Sequence, residues 1–97
     1  IAQNINNRGN EAFALNTLGL VHQDLGDYPT AIYYHEKTLA LAREINNRSR
    51  EVDSLTNLGI TYLYLGDLPK AIDFFKRQIS ITEKLESPDN KAIAFNN

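Results

Sequence analysis

The stretch Leu18-Gly19-Leu20-Val21-His22-Gln23-Asp24-Leu25-Gly26-Asp27-Tyr28-Pro29-Thr30-Ala31-Ile32 returns forty residues later as Leu58-Gly59-Ile60-Thr61-Tyr62-Leu63-Tyr64-Leu65-Gly66-Asp67-Leu68-Pro69-Lys70-Ala71-Ile72. Both glycines, the aspartate, the proline and the Ala-Ile pair fall in register. A fixed period of this length marks a repeat architecture, in which each unit buries its apolar face against its neighbours. Working outward, residues 7–46 align with 47–86: Asn7-Arg8 pairs with Asn47-Arg48, Glu11 with Glu51, Leu15 with Leu55, and Leu25 with Leu65. Past the ends, Ile1-Ala2 and Ile5 match Leu41-Ala42 and Ile45, while Ala92, Ala94 and Asn96 take the places of Ala12, Ala14 and Asn16. The chain is therefore expected to hold the end of a preceding repeat (1–6), two whole repeats (7–46 and 47–86) and the start of a further one (87–97). That is how a piece of a longer array would look.

Within a repeat the elements are legible. Ala12, Leu15, Leu18-Gly19, His22 and Leu25 recur at the three- and four-residue spacing of an amphipathic helix, helix A, running from about Gly9 to Leu25. Gly26 offers the left-handed conformation that ends a helix, Asp27 a capping oxygen, and Pro29 a pre-set first turn. Helix B then continues to about Ile45, with Ala31, Ile32, His35, Leu39 and Ala42 as its buried face, and stops at the polar turn Asn46-Asn47-Arg48-Ser49. The predicted fold class is all-α, a solenoid of helical hairpins. Gly19 and Gly59 lie inside helices, where each costs about 1 kcal/mol relative to Ala. Close approach of helix B, with Ala31 or Ala71 facing the glycine, is the predicted reason, and a Leu there should push the hairpin apart.

The composition is that of a folded globular chain, 42% hydrophobic and 23% charged. A net charge of −2 without a basic cluster argues against a nucleic-acid partner. No apolar stretch reaches the roughly 18 residues of a membrane-spanning helix and no signal peptide is evident, so a cytoplasmic setting is the expectation. The absence of cysteine excludes disulfides and thiolate metal sites.

Leu18-Gly19, Gly26-Asp27-Tyr28 and Ala31-Ile32-Tyr33-Tyr34 in one copy, with Leu58-Gly59, Tyr62, Gly66-Asp67, Ala71-Ile72 and Phe74-Phe75 in the other, resemble the tetratricopeptide repeat over essentially the whole chain. The forty-residue length, with its longer helix B, is similar to the Pins-type G-protein-signalling modulators and to bacterial regulators built from such repeats. The resemblance implies a right-handed superhelix with helix A on its concave side, and a non-enzymatic scaffold binding a protein or peptide. Thr38 and Gln78 stand where the family usually has Ala, which predicts looser helix crossing there.

At about 100° per residue, Phe13, Asn16, Leu20, Gln23 and Asp24 cluster on a second face of helix A, and Asp53, Thr56, Ile60, Leu63 and Tyr64 on the equivalent face of the second copy. Ile60, Leu63 and Tyr64 make that helix apolar on more than one side, as expected if something covers them. Neighbouring repeats would do so in a solenoid. A groove for an extended or helical peptide, with apolar anchors and a basic residue meeting Asp24 and Asp53, would do so as well. The family's carboxylate clamp needs Lys, Arg and Asn in the groove; Leu20 and Ile60 replace the Asn residues, which disfavours an acidic C-terminal peptide. The competing function is self-association through the exposed repeat ends, giving a homo-oligomer.

No catalytic, metal or cofactor site is expected. His22 and His35 occupy places filled by Tyr62 and Phe75 in the second copy, so both are read as packing residues that touch across the hairpin, with protonation near pH 6 loosening the first repeat. The carboxylates form no acid/base pair, and neither a phosphate loop nor a nucleophile elbow occurs. Asn47-Arg48-Ser49 matches a glycosylation sequon by chance, and Lys76, Arg77, Glu83, Lys84 and Glu86 read as a solvated face.

Overall fold

The computed structural model describes the backbone of residues 2–85 and the side chains of residues 7–85. The start of the further repeat expected at 87–97 lies outside the described residues. Four helices, α1 (Ala2–Asp24), α2 (Tyr28–Glu44), α3 (Arg48–Leu65) and α4 (Leu68–Leu85), form two antiparallel hairpins stacked side by side.

All three corners use one device. Gly26, Asn46 and Gly66 each take positive φ, at 81°, 58° and 85°. Their amides and those of the next residues turn back onto the preceding helix: Gly26 N to Gln23 O at 3.0 Å and Asp27 N to His22 O at 2.8 Å, with the same pair of bonds at the other two corners. This is a glycine-type C-cap, with Asn taking the left-handed position at the middle corner. The following residue then caps the next helix: Asp27 Oδ1 accepts from Thr30 N, Asn47 Oδ1 from Arg50 N and Asp67 Oδ1 from Lys70 N, at 3.4, 3.0 and 3.2 Å. The sequon asparagine is thus a helix cap.

Helix A of the first copy does not start near Gly9. It runs unbroken from Ala2 through Asn6-Asn7-Arg8, although the equivalent Asn46-Asn47-Arg48 makes a corner. That corner is held between two packed helices, α2 and α3.

Each hairpin closes on a glycine. A Cβ on Gly19 would lie 2.6 Å from ring atoms of His35, and one on Gly59 would lie 2.6 Å from the Phe75 ring. The facing group is therefore an aromatic ring on helix B, not the expected Ala31 or Ala71. Those alanines are also fully buried in the hairpins, with Ala12 and Ala42. Thr38, expected to loosen the crossing, is fully buried and donates its hydroxyl to Tyr34 O at 2.8 Å. Gln78 is half-buried and donates to Thr82 Oγ1 at 2.9 Å.

Between the hairpins lies the main core: Leu39 of α2 with Leu55 and Leu58 of α3, flanked by Ile32, Tyr62, Phe74 and Ile81. Burial here depends on having a neighbour. Leu58 is 0% exposed, whereas Leu18, its equivalent in α1, is 40% exposed despite its place in the expected core stripe. Leu25, also expected in the stripe, is exposed, as is its equivalent Leu65, so that position stays outside the core in both copies. The face of α1 that carries Leu18 is the one α3 turns toward the preceding hairpin. At the seam, Glu51 accepts from Arg43 Nε at 3.0 Å and from Arg48 Nη1 at 2.9 Å, tying the end of α2 to the start of α3. Burial raises the Glu51 pKa, but the Arg48 and Arg43 hydrogen bonds and charges outweigh it and hold the carboxyl below its ordinary value. The A helices α1 and α3 also meet directly.

Two glycine substitutions should have opposite signs. Gly59→Ala forces the Phe75 ring to move, and overpacking of about 1–3 kcal/mol exceeds the gain of about 1 kcal/mol in helix propensity. Gly9, now inside α1 with nothing within 4 Å of a Cβ, should gain up to about 1 kcal/mol as Gly9→Ala. Urea unfolding midpoints decide both; a destabilised Gly9→Ala would mean that α1 is broken there.

Candidate binding face

The forty-residue period sorts the ten expected groove residues into five equivalent pairs. Three pairs form rungs along the two A helices: Phe13 with Asp53, Leu20 with Ile60, and Asp24 with Tyr64. Phe13, Leu20, Asp24, Asp53 and Tyr64 are exposed and Ile60 is half-buried. Phe13 and Tyr64, 61% and 62% exposed, are the largest apolar surfaces of the set. The Arg50 guanidinium lies 5.9 Å over the Phe13 ring, and Tyr28, from the start of α2, stacks on Tyr64 at 5.6 Å. Neither Asp24 nor Asp53 has an ion-pair partner among the described residues.

The other two pairs behave differently. Asn16 accepts from Asn57 Nδ2 at 3.1 Å, and Gln23 Oε1 lies 3.0 Å from Thr61 Oγ1 and 3.1 Å from His35 Nε2. Both residues of α1 are thereby taken up in its contact with α3. Their counterparts are Thr56, half-buried with its hydroxyl on Val52 O, and Leu63, which is exposed. They occupy on α3 the positions through which α1 meets its successor.

Concavities elsewhere do not coincide with this face. One of about 330 Å³ lies between Arg48, Glu51, Ile81, Lys84 and Leu85, and one of about 180 Å³ includes the equivalent positions Arg8, Glu11, Leu15 and Leu41. Each is the gap where helix B ends beside the start of helix A; in the smaller one, the Arg8–Glu44 ion pair spans it at 2.7 Å. Among the described residues no group of three His, Asp or Glu could hold a metal ion, and no helix is long and apolar enough to cross a membrane.

Hairpins of one pattern, joined by one corner and closed on a helical glycine, agree with the family model for the tetratricopeptide repeat, which matches residues 10–84. The chain belongs to the tetratricopeptide repeat family. No curated protein matches it. Tetratricopeptide repeats generally act as non-enzymatic scaffolds that mediate protein–protein interactions.

In these tetratricopeptide hairpins the two histidines do not form the expected pair. His22 stacks on Tyr34 with centroids 5.7 Å apart and sets Nδ1 3.6 Å from Asp27 Oδ2, while His35 lies on Gly19 and reaches Gln23. His35 is fully buried, its Nδ1 has no hydrogen-bond partner, and desolvation lowers its pKa from 6.5 to about 4. Native His35 is thus neutral at pH 6, contrary to the expected loosening by protonation of the folded state. Acid acts instead through the unfolded chain, which takes up a proton near pH 6.5 while the folded one does so only near 4. Stability is full above pH 6.5 and falls as the pH drops toward 4.

Sequence reasoning missed Arg50 and Tyr28, the two neighbours of the exposed aromatics. Arg50 was legible in principle, since the helical angle puts it on the Asp53 side of α3. Tyr28 was not, because it reaches the face from a different helix.

Between pH 7.5 and 5.5 the wild type should lose about 1 kcal/mol through His35. His35→Phe, which carries the second repeat's own ring, should show little of that loss. Unfolding midpoints at the two pH values test this; equal losses in both proteins would assign the titration to another group.

Proposed function

We propose that the chain is a non-enzymatic scaffold that binds a peptide along the three rungs of the helix A face. The observation that carries this reading is that exposed Phe13, Leu20 and Asp24 are repeated on the neighbouring helix by exposed Asp53 and Tyr64 and half-buried Ile60, every one apolar or acidic. Large apolar side chains left on the helix A face, which the family resemblance puts on the concave side, favour a ligand with apolar anchors. Asp24 and Asp53, free of ion pairs among the described residues, favour a basic residue beside those anchors. Leu20 and Ile60 stand where the family's carboxylate clamp has Asn, so an acidic C-terminal peptide is not the expected ligand. The forty-residue spacing agrees with the Pins-type and bacterial regulator subgroup, and the composition with a cytoplasmic setting.

A second reading, self-association, draws on the exposed apolar residues of the outer helices: Leu18, Val21 and Leu25 on α1, and Ile72 and Ile79 on α4. Molar mass by light scattering should stay that of a monomer as concentration rises if the first reading holds.

The direct test is selection from a displayed random-peptide library. Recovered peptides should pair apolar anchors with Lys or Arg, and binding should fall at least tenfold in Leu20→Asp/Tyr64→Asp, whose exposed sites leave the fold intact. Recovery of acidic peptides, or binding indifferent to these substitutions, would rule out the rung face as the site.

A further inference from the structure

The two repeats treat the gap between the start of helix A and the end of helix B differently. In the first repeat Glu44 meets the Arg8 guanidinium with both carboxylate oxygens, at 2.7 and 2.8 Å, and the gap they line holds about 180 Å³. In the second repeat the equivalent of Arg8 is again an arginine, Arg48, but the equivalent of Glu44 is Lys84. Both line a gap of about 330 Å³, and they repel where their counterparts attract. The arginine of a forked arginine–carboxylate pair is thus kept without its carboxylate, and a second cation stands at the carboxylate's position.

The remaining charges leave the gap positive. Glu51 is the carboxylate among its lining residues, and both its oxygens are engaged, Oε2 by Arg43 and Oε1 by Arg48. Arg48 spends only Nη1 on that bond, and Lys84 has no ion-pair partner among the described residues. Half-buried Ile81 and exposed Leu85 add an apolar wall. The volume lies at the lower end of the range for ligand pockets, about 300–1,000 Å³. Stacking leaves such a gap open: α3 packs on α2, yet the equivalent gap of the first repeat is lined by α1 and α2 alone.

We propose that the gap between the start of α3 and the end of α4 is a binding site for a small aliphatic carboxylate, held between Arg48 and Lys84 with its hydrocarbon stem on Ile81 and Leu85. The ligand's carboxylate supplies to Arg48 what Glu44 supplies to Arg8. A free acid and the C-terminal residue of a chain share this chemistry. The site is separate from the rung face and stands or falls independently of what fills that face.

Chemical-shift titration of the labelled 97-residue chain tests it. Hexanoate, for a free acid, and N-acetyl-leucine, for a chain terminus, are the probes; the tighter one names the source. Saturable shifts should appear at Arg48, Ile81, Lys84 and Leu85, with hexanol and inorganic phosphate binding at least tenfold more weakly. Lys84→Glu, which restores the first repeat's Arg–Glu pair, should weaken the carboxylate at least tenfold without lowering the melting midpoint. Lys76→Glu, the same change of charge on an exposed part of α4 outside the gap, should leave binding unaltered. No saturable shift with either probe would overturn the proposal and leave Lys84 as a mere complement to the negative end of α4. Equal binding of hexanol or phosphate, or equal losses in the two variants, would overturn it as well.

Discussion

An aromatic ring lying where a glycine has no Cβ is the contact from which this architecture follows. His35 on Gly19 and Phe75 on Gly59 bring helix B against helix A closer than any side-chain-bearing residue would permit. A helical glycine costs about 1 kcal/mol, and burying an aromatic ring offsets that cost with an apolar contact of larger size. The close approach fixes the hairpin, and with it which face of helix A points inward. It also explains why one position tolerates both His and Phe: what the glycine meets is a flat ring. The histidine adds a polar consequence, because its buried imidazole must stay neutral in the folded state, and it reaches across α1 to Gln23, which in turn touches Thr61 of α3.

Above the hairpin, stability is a matter of neighbours. Leu58 is buried with another hairpin beside it, whereas Leu18, the same residue at the same place in the first repeat, is exposed. That is the energetics of a one-dimensional stack, where interface terms between adjacent units supplement each unit's own packing. The corners are uniform enough to leave these interfaces in control: a left-handed residue closes one helix and an Asp or Asn side chain opens the next. At Asn6-Asn7-Arg8 the same residues make no corner and α1 runs on.

The repeat, the helical class, the two glycine-aspartate corners and the burial of Ala31, His35, Leu39 and Ala42 were legible in the sequence because each rests on a local signal: a period, a breaker or a cap. What the sequence left hidden came from contacts between elements. It gave no means of telling that Gly19 meets the His35 ring and not Ala31, that Glu51 is shared by Arg43 and Arg48, or that Asn16 and Gln23 are spent on α3 while Phe13 and Leu20 stay open. Helical periodicity places a residue on a face but does not say which neighbour faces it. The ten residues singled out as a groove therefore divide by position, three rungs along the A helices and two pairs at the edges between successive A helices, a division visible once both copies are superposed in space.

Those rungs are the functional core of the account, and amide chemical-shift mapping tests them most directly. Uniformly labelled protein would be titrated with the tightest peptide recovered from a displayed library. The largest shifts should trace Phe13, Leu20, Asp24, Asp53, Ile60 and Tyr64 along α1 and α3, with His35 and the outer face of α4 unmoved. Shifts concentrated on α2 and α4 would place the ligand on the other side of the stack and contradict the reading.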